Sequence, residues 1–363
     1  MAGATICFVE RQSALRARIR ELDPPCEAML VTSLENVRYL TGFTGSNGVA
    51  IVTAAETWFF TDPRYQFQAA QEVTANAKAV PGPLLIHAAK LLGRKKLRRV
   101  GFEQDHLTAG DMELLGGKMP PRTMFLPCGG QVEMLRMVKS AEELAAIRQS
   151  VLTNSRALDA VMGNIRAGMS ELELTGEIEY QMRKNGAEKP SFDTIVASGA
   201  RSALPHAHPT KTAIERGVLL IDMGTFENGY ASDMTRTFFV GTVSREMRRI
   251  YKAVLEAQLA AVDAVRAGVT AGTVDRSARK VLAGHGLDNA FLHSTGHGLG
   301  LEIHEPPRIG KKDKTRLEAG MAITIEPGAY VEGLGGVRIE DTVVVTANGC
   351  EILTPTGKAM VVI

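Results

Sequence analysis

The C-terminal part of this chain contains five residues that can bind divalent metal ions. In chain order they are Asp222, Asp233, His297, Glu326 and Glu340. Each carboxylate interrupts or ends an apolar, β-branched run of the kind that forms a buried strand. Any one of these acids alone would more often be a strand-end or salt-bridged side chain. Because a buried ionised carboxylate is costly unless its charge is compensated, four such acids together indicate that they bind cations.

The donor set also indicates which chemistry the cations would do. Four carboxylates and one imidazole suit Mn²⁺, Co²⁺, Fe²⁺ or Zn²⁺ in a shared two-metal centre better than they suit a structural zinc, which prefers thiolates and imidazoles. Two cations about 3.5–4 Å apart can lower the pKa of a bridging water and hold both ends of a displacement at a carbonyl. The pattern therefore predicts a metal-dependent hydrolase.

Two predicted hairpins would bring the acids together. Asn228-Gly229 lies between Asp222 and Asp233 and is a turn signal that folds two strands onto each other. Glycines between Glu326 and Glu340 allow the same geometry; they are Gly333, Gly335 and Gly336. Each hairpin is expected to present two acids.

Histidines are concentrated near these acids, although the chain has only eight. His206 and His208 follow Pro205, while His293, His297 and His304 lie close together in the sequence. A single histidine is more often a satisfied structural residue. Together with the acids, these histidines predict a catalytic set, and the glycines around His297 would allow close backbone approach to a site.

A dinucleotide-binding loop is an alternative interpretation of the glycines around His297. Gly296, Gly298 and Gly300 resemble one, but position 301 is Leu, so the G-x-G-x-x-G spacing fails, and no strand-turn-helix unit surrounds the segment. We therefore expect no cofactor other than the metal ions.

Composition limits the class of protein. The chain has 363 residues, 45% hydrophobic and 23% charged, with a formal net charge of +2, as expected for a globular protein of two domains. Near neutrality argues against nucleic acid or a membrane surface as a partner. The basic run at residues 94–99 is interpreted as a solvated turn before a strand at Val100.

Cysteine usage and the chain start predict a cytoplasmic protein. The four cysteines are scattered without a CxxC pair, which fits a reducing compartment. Met1 to Arg11 lack the features of an export signal, and no apolar run approaches the length of a membrane span.

We predict two domains with a boundary near a Pro/Gly-containing segment: an α/β domain at residues 1–130, a linker at 131–139 and an α+β domain at 140–363. Ser140 and Glu143 form a capping box before one helix, and Ser170 and Glu173 form a capping box before the next. Further helices are predicted near 141–165, 170–185, 244–267 and 273–284. Strands are predicted near 218–223, 233–240, 321–331, 337–346 and 350–353, which suggests helices covering one face of a curved antiparallel sheet.

The motifs resemble those of the pita-bread metallopeptidases, in particular the Xaa-Pro peptidases, aminopeptidase P and prolidase (Xaa-Pro dipeptidase). The resemblance is carried by the five metal-binding candidates together with the segments at 191–199, Pro205-His206, His304-Glu305, Glu326-Pro327-Gly328 and 338–341. Residues 36–46 resemble the creatinase-like domain that precedes the catalytic domain in these enzymes. The resemblance covers essentially the whole chain and implies two metal ions, most often Mn²⁺, with proline-containing peptides as substrates and a homodimer.

Site roles follow from this resemblance residue by residue. It implies that Asp222 binds one metal, that His297 and Glu326 bind the other, and that Asp233 and Glu340 bridge both. Glu326 would also assist proton transfer from the nucleophilic water. The non-ligand site residues are His206, His293 and His304, which would contact substrate, the oxyanion or the leaving nitrogen, and Arg338, which would orient the ligand carboxylates.

Rival functions on the same fold remain. Methionine aminopeptidase shares the five ligands but is disfavoured by the long N-terminal domain. A creatinase-like enzyme and a non-catalytic binding protein are both disfavoured because the ligand set is intact. The sequence leaves open whether an Xaa-Pro peptidase would be an aminopeptidase or a dipeptidase. A dedicated site is expected in either, because an Xaa-Pro bond has no amide hydrogen and a locked φ.

Overall fold

The computed structural model describes residues 7–363. The chain forms two compact units, one ending at Arg136 and the other beginning at Met137. The prediction that Met1 to Arg11 carry no export signal falls partly on residues 1–6, which lie outside the described residues. Among residues 7–363, no helix is both long and apolar enough to cross a bilayer.

The N-terminal unit alternates helices and strands, as the sequence predicts. Its helices are α1 (Phe8–Arg20), α2 (Leu34–Thr41), α3 (Gln66–Glu72), α4 (Leu84–Arg94), α5 (Ala109–Gly116) and α6 (Glu133–Arg136). Its strands are β1 (Ala28–Val31), β2 (Gly48–Thr53), β3 (Thr57–Thr61), β4 (Asn76–Ala79), β5 (Arg99–Phe102) and β6 (Met124–Pro127). They form one mixed sheet in the order β4-β3-β2-β1-β5-β6, in which β1, β5 and β6 run parallel.

Local signals explain where these elements begin and end. The Ser33 side chain caps α2 by accepting from the Asn36 amide, and Gly42 ends the helix with a φ of 89°, a conformation that glycine adopts without strain. The basic run forms the predicted turn, with Lys96 at a φ of 56° between α4 and β5. That prediction is confirmed.

The second unit combines four long helices with antiparallel strands. The helices are α7 (Ala141–Met162), α8 (Glu171–Lys184), α9 (Arg245–Ala264) and α10 (Ala271–Gly284). The first strands are β7 (Lys189–Pro190), β8 (Ile195–Ser198), β9 (Gly217–Met223), β10 (Thr225–Glu227), β11 (Tyr230–Ala231) and β12 (Met234–Val240). The remaining strands are β13 (Gly296–Gly298), β14 (Glu305–Ile309), β15 (Ala322–Ile325), β16 (Gly328–Val331), β17 (Gly335–Arg338), β18 (Asp341–Val345) and β19 (Cys350–Ile352).

The helices pack in pairs on these strands. α7 and α8 bury their apolar faces with β9 and β12, and α9 and α10 bury theirs with β15 and β18. The capping boxes predicted at Ser140/Glu143 and Ser170/Glu173 are both present. Each capping box satisfies free amides at a helix start, so the observed bounds of α7 and α8 lie close to those predicted from the sequence.

The structure corrects the strands predicted at 321–331 and 337–346. Each is divided at an acid, into β15 and β16 around Glu326 and into β17 and β18 around Glu340. β15 and β18 belong to a five-stranded sheet in the order β14-β13-β15-β18-β19, whereas β16 and β17 pair separately. The chain leaves one sheet and enters the other at these two residues. Residues 131–139, the predicted linker, include α6.

Candidate metal centre

The first hairpin places Asp222 and Asp233 side by side. Asp222 of β9 is in register with Thr235 of β12, and Asp233 immediately precedes β12. The turn that joins the two arms contains Asn228 at a φ of 51° and Gly229 at a φ of 73°. These angles are those of a tight hairpin turn, so the predicted turn is confirmed.

The second hairpin brings Glu326 and Glu340 together. Ile325 of β15 pairs with Asp341 of β18, so the two glutamates occupy the next positions on facing strands. Gly328 then pairs with Arg338 as β16 and β17 begin their own sheet. Both acids therefore lie at the junction between two sheets, where a side chain can point into a cavity rather than into a core.

His297 lies at the centre of the three-residue strand β13. A Cβ atom at Gly296 would lie 1.9 Å from the Thr324 carbonyl oxygen, and one at Gly298 would lie 2.3 Å from the Pro306 carbonyl oxygen. Both positions therefore exclude any side chain. The glycines around His297 serve the close packing of β13 between its neighbouring strands, which is a different reason from the approach to a ligand that the sequence suggested.

The orientation of the His297 ring favours a cation at Nε2. Nδ1 donates to the Gly298 carbonyl oxygen at 2.9 Å, so in the neutral ring Nε2 carries the lone pair. Nε2 lies 3.5 Å from Oδ2 of Asp233 and 3.5 Å from Oε1 of Glu326. A lone pair facing two carboxylates is repulsive, and a metal ion between them removes the repulsion.

The carboxylates, like His297, lie where a cation would offset electrostatic repulsion. Oxygen atoms of Asp222, Asp233 and Glu340 lie within 4.8 Å of one another. Within residues 7–363, neither Oδ1 of Asp222 nor Oε1 of Glu340 has a hydrogen-bond partner, although both atoms are buried. Burial first, and then repulsion from neighbouring carboxylates, raises the pKa of Asp233 and of Glu340 well above the usual range. Divalent cations would bind the free oxygens and offset the repulsion, so the residues fit a metal centre.

Arg338 connects the carboxylates of Asp222 and Glu340 through hydrogen bonds. Its Nη2 donates to Oδ2 of Asp222 at 2.6 Å, and its Nε donates to Oγ1 of Thr235 at 2.9 Å. Thr235 in turn donates to Oε2 of Glu340 at 2.8 Å. A guanidinium fork with several donors can hold Asp222 directly and Glu340 through Thr235. The orienting role that the family resemblance implies for Arg338 stays a prediction.

Tyr330 extends the same network to His293 and was missed by the sequence analysis. Nη1 of Arg338 donates to the Tyr330 hydroxyl oxygen at 2.6 Å. His293 donates from Nδ1 to the Ser294 carbonyl oxygen at 2.8 Å, so its Nε2 accepts from the Tyr330 hydroxyl at 2.8 Å. Both ring nitrogens of His293 are therefore engaged by the protein. This arrangement fixes the orientation of the ring.

The segment that carries His206 is held by a buried glutamate. Glu171, the first residue of α8, is fully buried and accepts from the amides of Ser198 and Thr210 at 3.0 Å each. It also accepts from Nε of Arg201 at 3.1 Å. Glu171 thus binds both ends of the segment 198–210, and His206 projects from that segment with its side chain exposed.

A buried ion pair holds the segment that carries His304. Nζ of Lys139 lies 3.0 Å from Oε2 of Glu305, and both side chains are almost completely buried. Glu305 also accepts from the Glu302 amide at 3.1 Å. The neighbouring His304 is exposed and its ring centre lies 4.4 Å from that of His297. Desolvation and the nearby His297 lower the pKa of His304.

All of the site residues expected from the sequence line one cavity of about 820 Å³. They are Asp222, Asp233, His297, Glu326, Glu340, His206, His293, His304 and Arg338. The structure thus brings the whole set together. The wall also includes Phe192, Asp193 and Arg308, which the sequence analysis did not select. An arginine within the otherwise uncharged run Pro306 to Gly310 was the available signal for Arg308.

Comparisons with known proteins agree with this geometry. Residues 145–347 match the metallopeptidase family M24, and residues 11–138 match the creatinase/prolidase N-terminal domain. An Xaa-Pro dipeptidase of Pyrococcus horikoshii is 38% identical over 336 residues, which cover 92% of this chain and 94% of that protein.

Two solved structures are similar over nearly the whole chain. One is an Xaa-Pro dipeptidase from Bacillus anthracis, with a TM-score of 0.95 and 38% identity, covering 98% of this chain and 100% of that one. The other is an X-Pro aminopeptidase from Thermotoga maritima, with a TM-score of 0.87 and 36% identity, covering 93% and 98% of the two chains. The two names share the X-Pro element, but one protein is named a dipeptidase and the other an aminopeptidase.

Proposed function

We propose that this chain, which belongs to metallopeptidase family M24 and is a peptidase, is an Xaa-Pro dipeptidase that depends on two divalent metal ions. The observation that supports the proposal most directly is the convergence of Asp222, Asp233, His297, Glu326 and Glu340 on one cavity. Two of their buried oxygens have no hydrogen-bond partner in the part of the chain from residue 7 onward. The proposed catalytic domain is residues 140–363, after a creatinase-like domain at 1–130 and a linker at 131–139.

The ligand assignment in this proposal follows the family pattern. Asp222 would hold one ion, His297 and Glu326 would hold the other, and Asp233 and Glu340 would lie between them. Bound divalent ions would lower the pKa of a water between them and polarise the carbonyl of the peptide bond. Mn²⁺ is the proposed ion, since the donor set is mainly oxygen, and Co²⁺, Zn²⁺ and Fe²⁺ are the alternatives to compare.

The remaining groups have proposed roles in proton transfer and orientation. Glu326, a half-buried carboxylate beside His297, would accept the proton of the nucleophilic water. His206 and His304 project into the cavity and would contact the substrate carbonyl or the proline nitrogen. His293 would contact the substrate with its ring in one fixed orientation, because hydrogen bonds with Tyr330 and Ser294 engage both of its ring nitrogens.

Arg308 favours a dipeptide as the substrate. It is in register with His297 across β13 and β14, and directly paired residues of an antiparallel pair project from the same face. Its side chain is exposed and lines the cavity. A guanidinium beside the metal site can bind the carboxylate at the end of a proline that follows the scissile bond. A longer peptide has no charge at that position.

Three peptides test this choice: an Xaa-Pro dipeptide, the same dipeptide with an amidated C-terminus, and the same peptide extended by one residue. With metal-loaded protein, the proposal predicts the highest kcat/KM for the free acid. Faster cleavage of the extended peptide would instead assign an aminopeptidase P. Absence of cleavage of all three by metal-loaded protein would contradict Xaa-Pro hydrolysis and favour a binding role on the same fold.

A cytoplasmic location and a homodimer complete the proposal. The scattered cysteines, which include no CxxC pair, support a reducing compartment. The homodimer comes from the family resemblance, and sedimentation equilibrium of the purified protein tests it.

A further inference from the structure

The N-terminal unit contains two buried thiols that the proposed function does not use. Sγ of Cys26 lies 3.6 Å from Sγ of Cys128, although the residues are 102 positions apart in the sequence. Cys26 is 4% exposed and Cys128 is 7% exposed. Cys26 lies just before β1 and Cys128 just after β6, so the pair connects the two outer strands of the parallel set β1, β5 and β6.

A glycine in the strand between them makes room for the sulfurs. At Gly101 of β5, a Cβ atom would lie 3.0 Å from Sγ of Cys128 and 3.2 Å from Sγ of Cys26. Sδ of Met29 would also lie 3.0 Å from it. Backbone hydrogen bonds fix both cysteines, since the Cys26 amide donates to Ile19 and the Cys128 amide donates to Phe102, at 2.8 and 2.9 Å. These bonds hold the two backbones, and the sulfurs lie in the space that a side chain at Gly101 would fill.

We infer that Cys26 and Cys128 form a site of reversible oxidation, in which a peroxide converts the two thiols to an intramolecular disulfide. The sulfurs must approach by about 1.5 Å to reach the disulfide bond length of about 2.05 Å, which side-chain rotation can supply. The small size of a peroxide matters because both residues are buried. A bond between positions so far apart in the sequence would restrict the unfolded chain and stabilise this unit.

The chemistry balances without any other reactant. The Cys128 thiol loses its proton, and the thiolate attacks one oxygen of hydrogen peroxide, so that the O–O bond breaks and a sulfenic acid forms on Cys128. The departing hydroxide takes up the released proton and leaves as one water. The Cys26 sulfur then attacks the sulfenic sulfur, the S–O bond breaks, and the departing hydroxide leaves as a second water with the Cys26 proton. Two thiols and one peroxide therefore give one disulfide and two waters.

The order of the two steps follows from the surroundings of each thiol. Burial, and then the neighbouring Cys128, raises the pKa of Cys26 to about 12, so Cys26 keeps its proton at neutral pH. Because the thiolate is the nucleophile in the first step, the more exposed Cys128 starts the reaction. Oxidation is expected to be slow and to stop at the disulfide.

The test uses the full chain carrying Cys7→Ser and Cys350→Ser, which leaves only the pair. The protein is treated with hydrogen peroxide, unfolded, alkylated with iodoacetamide and mapped by mass spectrometry. We expect both cysteines to escape alkylation, a peptide cross-linked through Cys26 and Cys128, and full recovery of two thiols with dithiothreitol. In a matched variant that also carries Cys128→Ser, Cys26 should remain alkylatable after the same treatment.

Two results would overturn the inference. One is complete alkylation of both cysteines after peroxide treatment. The other is oxidation without a cross-link, seen as sulfinic acid on either cysteine or as sulfoxide on Met29. If the matched variant does not fold, the cross-linked peptide from the two-cysteine protein decides the question alone.

Discussion

The hydroxyl of Tyr330 lies 2.8 Å from Nε2 of His293. The same oxygen accepts from Nη1 of Arg338, whose Nη2 donates to Asp222. Burial raises the pKa of Tyr330 to about 12, so the hydroxyl remains protonated and its direction of donation is fixed. A continuous chain of hydrogen bonds therefore joins a cavity histidine to a proposed metal ligand.

Tyr330→Phe should lower kcat about tenfold, the effect of losing about one hydrogen bond, while both metal ions remain bound. The ring still fills its site, so only the connection between His293 and Arg338 is lost. Steady-state kinetics with metal analysis of the same sample make the measurement. Tyr251→Phe is the matched control, since the hydroxyl of this buried tyrosine donates to the Lys358 carbonyl oxygen, away from the cavity residues. Equal effects of the two changes would mean that the network has no role in catalysis.

Arg308→Ala should raise KM for the free Xaa-Pro dipeptide about 10- to 100-fold, which corresponds to a charged hydrogen bond of about 1.5–3 kcal/mol. Hydrolysis of the C-terminally amidated dipeptide should change little, because it lacks the carboxylate. Arg316→Ala is the control, since this exposed arginine donates to the Gly268 carbonyl oxygen. An equal loss for the acid and the amide would contradict recognition of the carboxylate by Arg308.

Glu171→Gln should lower kcat/KM about three- to tenfold with metal content unchanged. The amide retains one acceptor oxygen but loses the charge that faces Arg201, so the segment carrying His206 becomes less ordered. Glu173→Gln is the matched control on the same helix terminus, where the carboxylate caps Ser170 instead. Stability should fall in both variants and kcat/KM in Glu171→Gln alone. A loss of metal from Glu171→Gln would assign it a different role.

The metal-free protein should lose thermal stability as the pH rises from about 5 to 8. Asp233 and Glu340 have raised pKa values in the folded protein and ordinary values near 4 when unfolded. Between those values the folded state binds more protons than the unfolded state, so its stability decreases with increasing pH. Glu340→Gln removes one of these groups and should flatten the decrease.

Scanning calorimetry in the presence of a chelator measures this effect. The Tm of the wild type should fall by about 5 °C more than that of Glu340→Gln over the same pH range. Added Mn²⁺ should raise the wild-type Tm and affect the variant less. Parallel Tm curves for the two proteins would contradict a raised pKa of Glu340 in the folded state.

Much of this fold could be predicted because its signals are local. The capping boxes at Ser140 and Ser170 and the turn at Asn228-Gly229 involve residues at most three positions apart, and each is present in the structure. The fold class, a creatinase-like domain followed by a pita-bread catalytic domain, is confirmed by the family matches. Acids that interrupt apolar strands were the signal for the metal centre.

The remainder depends on contacts that no local pattern encodes. Tyr330 sits in an apolar strand, and only its distant partners His293 and Arg338 give its hydroxyl a role. Scattered cysteines gave no sign that Cys26 and Cys128 touch, because their contact depends on the strand order of the sheet. The division of the predicted strands at Glu326 and Glu340 likewise follows from a change of sheet, which alternating apolar residues cannot reveal.

The most direct test of the central claim is a titration of metal-stripped protein with Mn²⁺ while hydrolysis of an Xaa-Pro dipeptide is followed. The proposal predicts no activity without metal, activity that rises to a plateau as two ions bind per chain, and at least about a 100-fold lower plateau for Glu340→Gln. Full hydrolysis by the metal-stripped protein, or a Glu340→Gln variant with wild-type turnover and metal content, would contradict it.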